Sequence, residues 1–149
     1  MKMLRLTFLM ILAATTGLRA QTQESAIVGR WESDEKDVRM EFFKDGDQYK
    51  AKLLWGNKVV EADGKTSRKD VENPDKSLRS RDILGIVSLT GLKWDGKKEY
   101  ADGKIYDPPS GKTYTCKAWL EGGKLHLRGY LGFSLLGKTV VWHRYTSAN

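Results

Sequence analysis

The stretch from Gly103 to Tyr145 constrains this chain more than any other. It holds four short runs of strand-like alternation, broken by Asp107-Pro108-Pro109-Ser110-Gly111, by Glu121-Gly122-Gly123 and by Gly132 to Gly137. Proline presets φ and glycine opens positive φ, so these breaks carry the chemistry of tight connections. Apolar residues at every second position mark strands with one face in a core. The stretch predicts an antiparallel meander.

The N-terminal half continues the pattern. Ile27 to Ser33 is a short strand carrying Gly29-x-Trp31, and Val38 to Lys44 places Val38, Met40 and Phe42 on one face. Lys44-Asp45-Gly46-Asp47 is a hairpin signal, and Gln48 to Trp55 alternates Tyr49, Ala51, Leu53 and Trp55 against Lys50, Lys52 and Leu54. Gly56 to Asp82 has no periodicity; Asn73-Pro74-Asp75 inside it predicts the start of a short helix with Leu78 facing the body. Ile83 to Leu89 is an apolar run of strand length. The fold class is all-β, with about eight or nine strands. Short strands at hairpin spacing close into a barrel or fold into a sandwich, and their sequential order with a matching first and last strand favours a single up-and-down barrel. In a closed barrel the first and last strands meet, so Arg144 is expected across the indole of Trp31, near Trp142.

The first 20 residues have a basic start at Lys2 and Arg5, an apolar centre from Leu6 to Ala14, and a small residue at Ala20. That is a secretory signal, with an apolar run far short of the roughly 20 residues that span a membrane. The expected organisation is a signal peptide at 1–20 and one barrel domain at 21–149, periplasmic or secreted. Losing Lys2, Arg5 and Arg19 lowers the formal charge from +7 to +4, and the remaining charges are interspersed. A nucleic-acid partner would call for a concentrated basic face, so none is expected. Cys116 is the single cysteine and shares its strand parity with Ala118 and Leu120, which predicts a buried thiol and no disulfide.

Nearly the whole mature chain resembles a family of exported bacterial proteins defined only as a domain of unknown function, number 2147. The resemblance rests on Gly29-Arg30-Trp31, on Asn73-Pro74-Asp75 followed by Leu78-Arg79, Arg81 and Gly85, and on Gly103-Lys104-Ile105-Tyr106-Asp107-Pro108. It continues through Gly111 to Tyr114, Leu125, Arg128-Gly129-Tyr130, Gly132 to Gly137, Thr139, Trp142 and Arg144. Gly29-x-Trp31 with an Arg on the last strand is also similar to the signature of lipocalin-like (calycin) barrels. The resemblance implies such a barrel in the bacterial envelope, and it implies no activity. Asp82 departs from the pattern, standing where Pro is expected.

Catalytic motifs are absent: there is no Gly-x-Ser-x-Gly, P-loop or Cys-x-x-Cys, and His126 and His143 cannot build a zinc site without carboxylate help. No catalytic residue, metal or cofactor is assigned. Arg79 and Arg81 follow a rigid turn and precede an apolar strand, where guanidinium forks can bind a carboxylate or phosphate; equally, they can pair with Asp75 or Asp82 and fix their loop. Tyr49, Trp55, Tyr106, Tyr114, Trp119, Tyr130 and Trp142 can line a cavity or fill the interior outright. Asp107 suits a turn better than acid–base work. The candidate ligand-binding set is Asn73, Asp75, Arg79, Arg81, Tyr106, Asp107, Tyr114 and Tyr130. The expected function is binding of a small apolar or amphipathic, possibly anionic, molecule. One alternative is an envelope interaction protein with a filled barrel; the other is an enzyme using carboxylates and tyrosines at the mouth.

Overall fold

Eight antiparallel strands follow one another around a closed barrel in the computed structural model, which describes residues 23–131 and 137–146. The expected signal segment at 1–20 lies outside these residues. The strands are β1 (Gly29–Ser33), β2 (Val38–Asp45), β3 (Gln48–Gly56), β4 (Val87–Trp94), β5 (Glu99–Asp107), β6 (Lys112–Glu121), β7 (Lys124–Tyr130) and β8 (Lys138–Arg144). Each pairs with its sequence neighbour, and β1 closes on β8 with Trp31 opposite Arg144 and Ser33 opposite Trp142. The helix expected in the long connection is a single 3-10 turn, Lys76–Leu78, capped by the Asp75 carboxylate, which accepts from Ser77 N.

Closure is made at the end where β1 begins. The Arg144 guanidinium lies 4.0 Å from the centre of the Trp31 ring. Its Nη1 donates to Val28 O at 2.6 Å and its Nη2 donates to Ala26 O. Gly29, at φ +120°, is required here: a Cβ would stand 2.6 Å from Arg144 Nη1. A second 3-10 turn, Ser25–Ile27, holds Ile27 against this end, and Trp31 Nε1 donates to Ile27 O at 2.8 Å. Tyr49 and Tyr100 meet edge to face at 5.2 Å, Trp94 packs on Tyr100 at 4.9 Å, and the Tyr100 hydroxyl donates to the backbone at Gln23 and Glu24. This half of the barrel is solid.

Two strand readings shift, each for a local reason. Trp55 shares the inward parity of Leu53, yet it lies on the outer face. A β-bulge between Arg39 and Met40 pairs Trp55 with Arg39, whose guanidinium stacks 4.9 Å from the indole. The Ile83–Leu89 run enters β4 only at Val87. Before it, Ile83 N and Leu84 N donate to Ser67 Oγ, and Gly85 turns the chain at φ +86°. Asp82 stays outside the strand, bridged to Lys69. Cys116 is fully buried and burial pushes its thiol up to about 12. His126 stacks on Trp119 on the outer face, half-buried.

Candidate functional site

The opposite end of the barrel, where β1, β3, β5 and β7 finish, holds a cavity of about 480 Å3. Its wall is built from inward-facing residues of six strands: Val38 and Met40, Leu53, Ile105, Tyr114, Leu127 with Gly129, and Val140 with Trp142; Ser88 adds a hydroxyl from β4. Val59, just beyond β3, completes the apolar lining. Among the described residues, nothing in this half matches the ring-on-ring packing of the closed end. Gly129 in particular leaves its place on the wall without a side chain.

The rim is polar and locally fixed. Ser33, fully buried, donates from Oγ to Asp37 Oδ1 at 2.6 Å and accepts from the Asp37 and Val38 amides, which sets the β1–β2 turn. Asn57 N then ties the end of β3 to Asp37 O at 3.0 Å. Asp107 organises the β5–β6 turn: its carbonyl accepts from Ser110 N and Gly111 N, and its carboxylate accepts from Ser110 Oγ at 2.5 Å. Pro108 and Pro109 line the rim in that turn, and Lys58 and Lys138 complete it.

Behind the rim, the connection of residues 57–86 is pinned by one buried carboxylate. Asp70 is fully buried. Its Oδ2 accepts from Arg81 Nε at 2.9 Å, Arg81 Nη2 at 2.8 Å and Asn73 Nδ2 at 2.8 Å; its Oδ1 accepts from the Tyr106 hydroxyl at 2.6 Å. Burial works to raise the Asp70 carboxyl. Hydrogen bonds from Tyr106, Asn73 and Arg81 outweigh it, so Asp70 titrates below the usual carboxylate range. Burial, then the bond to Asp70, pushes Tyr106 up to about 12. Tyr106 is on the cavity wall, so the network ties the long connection to the site.

The predicted site residues therefore separate. Tyr106, Asp107 and Tyr114 reach the cavity. Asn73, Asp75, Arg79 and Arg81 sit in the connection outside its lining, with Arg81 on Asp70 and Arg79 Nε donating to Asn73 O at 2.7 Å. Tyr130 ends β7 away from the lining. Ser88, Gly129 and Lys138 were not assigned to the site from the sequence, although a Gly at an inward position of a strand marks missing volume. Asp70 left no signal at all, because it lies in an aperiodic charged segment among other acids. Among the described residues, no group of three or more His, Cys, Asp or Glu is placed to hold a metal, and no helix is long and apolar enough to cross a membrane.

Comparison with known proteins agrees with this architecture. Among solved structures, Protein HP1028 from the human pathogen Helicobacter pylori, described as belonging to the lipocalin family, matches with a TM-score of 0.71 and 29% identity over 80% of this chain and 83% of that one. A fluorescent protein, the UnaG N57A mutant, matches at TM-score 0.39 and 14% identity over 83% of this chain and 99% of that one, too distant to bear on the reading. No curated protein matches the chain. The profile of the family described as uncharacterized protein conserved in bacteria, DUF2147, matches residues 29–144. That match runs from the first strand of a lipocalin-like barrel to the last, and the chain belongs to the DUF2147 family.

Proposed function

We propose that this protein is a small-molecule binding protein of the bacterial envelope, exported by its first 20 residues, that holds an apolar or amphipathic ligand in the open half of its barrel. The observation that carries this reading is the cavity of about 480 Å3 with a largely aliphatic wall and a polar rim. Ligand sites have this character: a few hundred cubic ångströms, mostly apolar, with a few polar groups to fix orientation. A lipocalin-like neighbour at 29% identity supports the same reading. Tyr106, Asp107 and Tyr114 contact the ligand in this account. Arg79 and Arg81 act one step removed, by holding the segment that meets Tyr106.

Native mass spectrometry of protein purified from its own envelope tests the proposal. The expected spectrum shows a chain beginning near Gln21 that carries a small adduct released on denaturation. Full-length chain embedded in the membrane contradicts export. Adduct-free protein that also takes up no apolar probe contradicts binding.

A further inference from the structure

The cavity contains one anomaly. Trp142 lines it, is 3% exposed, and its indole N–H is the single buried side-chain polar atom without a partner among the described residues. Buried Trp N–H groups nearly always find an acceptor, because an unmet donor costs about as much as a lost hydrogen bond. Trp31, the other fully buried indole of this barrel, obeys the rule through Ile27 O. Trp142 does not, and it differs from Trp31 in lying on the cavity.

Its place in the barrel gives the anomaly a direction. Lys138 is at the rim, and Trp142 is four residues further along β8, opposite Ser33 at the end of β1. The charged lining groups, Asp37, Lys58, Asp107 and Lys138, all belong to strand ends or the turns beyond them. Two hydroxyls come next: Ser88, one residue into β4, and Tyr114, two residues into β6, neither hydrogen-bonded among the described residues. Charge confined to the rim thus leaves two hydroxyls and a lone indole donor among largely aliphatic side chains. A plain hydrocarbon tail would leave that donor unmet. An ammonium or hydrocarbon group offers it nothing, whereas an oxygen acceptor completes it.

We propose, resting on the binding function above, that the cavity selects molecules with a carbonyl-type oxygen on their buried part, which accepts a hydrogen bond from Trp142 Nε1. The ligand class is an uncharged or rim-charged apolar compound with an oxygen on its enclosed part, not a simple alkyl chain. Ser88 and Tyr114 serve a second polar group.

A matched pair of probes reads this directly: 2-acetylnaphthalene, and 2-isopropylnaphthalene, which has nearly the same shape and no oxygen. After correction for their water-to-octanol transfer, the ketone is expected to bind about three- to tenfold more tightly, the range of one net hydrogen bond. Trp142→Phe keeps an aromatic ring in place and should abolish that preference while the hydrocarbon still binds. On the wild-type protein, the through-bond-assigned Nε1–H resonance of Trp142 should move downfield with the ketone and stay in place with the hydrocarbon. Equal corrected affinities with an unmoved indole resonance overturn the inference and leave the binding function standing. A preference that survives Trp142→Phe but falls in Ser88→Ala or Tyr114→Phe also overturns it. If neither probe binds, the binding function itself fails, and this inference with it.

Discussion

The two ends of this barrel are made of the same eight strands and have opposite interiors. At the closed end, Trp31, Phe42, Tyr49 and Tyr100 are buried against one another, and Arg144 seals them. At the open end, Tyr114 and Trp142 apart, the inward positions carry Val38, Met40, Leu53, Leu127, Gly129 and Val140, and a cavity of about 480 Å3 remains. Strand count sets the width of a barrel, and side-chain volume decides how much of it is filled. Large inward residues grouped in one half leave the other half free, whatever the total aromatic content.

The largest expected effect lies in the solid half. Trp31→Ala removes a fully buried indole and its bond to Ile27 O, and should cost about 3–5 kcal/mol in urea unfolding. A loss below about 1 kcal/mol would mean that this end is not close-packed. Next comes the brace behind the rim. Arg81→Ala strips Asp70 of its cation and should cost on the order of 1.5–3 kcal/mol, more than Arg79→Ala, which removes one bond to a carbonyl. Binding measured on the folded fraction of both variants should stay close to wild type; a large fall in affinity at unchanged melting temperature would return the arginines to the ligand site.

Arg144→Ala is expected to cost on the order of 1–3 kcal/mol, through the lost stacking on Trp31 and two carbonyls left short of a donor. This closure was the most legible long-range contact in the sequence, because Gly29-x-Trp31 and Trp142-x-Arg144 stand at opposite ends of a chain of sequential hairpins. The strands of the meander were legible for the same local reason, period-two alternation between turn residues. Trp55 was not, since a bulge reverses its face and no residue there announces it. Asp70 was not, since its partners Asn73, Arg81 and Tyr106 come from separate segments that only the folded connection brings together.

A smaller effect tests how firmly the open end is tied down. Tyr106 has its pKa raised from 10.0 to about 12, so its contribution is complete below the ordinary value and is lost as the pH rises through the folded one. Between roughly pH 10 and 12, wild-type protein should lose stability relative to Tyr106→Phe, which cannot ionise there. Asp70 works in the other direction. Its folded pKa lies below the usual 3.8, so its contribution is present above that value and fades as the pH falls through the folded one. Parallel stability curves for wild type and Tyr106→Phe across the alkaline window would contradict the Tyr106–Asp70 bond.

The contrast between a filled and an open half can be erased with one side chain. Gly129 lies on the cavity wall with no positive φ, and a Cβ there meets only Tyr114 Cβ at 3.8 Å and Ile105 Cγ2 at 4.0 Å, both ordinary contacts. Gly129→Phe should therefore place a ring in the open half much as Tyr100 fills the closed one. The deciding measurement is titration of wild type and Gly129→Phe with the apolar fluorophore N-phenyl-1-naphthylamine, alongside their melting temperatures. Saturable binding to wild type, weakened about tenfold or more in a variant that melts near the wild-type temperature, is the predicted result. Equal binding by the two proteins, or none by wild type, would contradict a ligand site in the open half of the barrel.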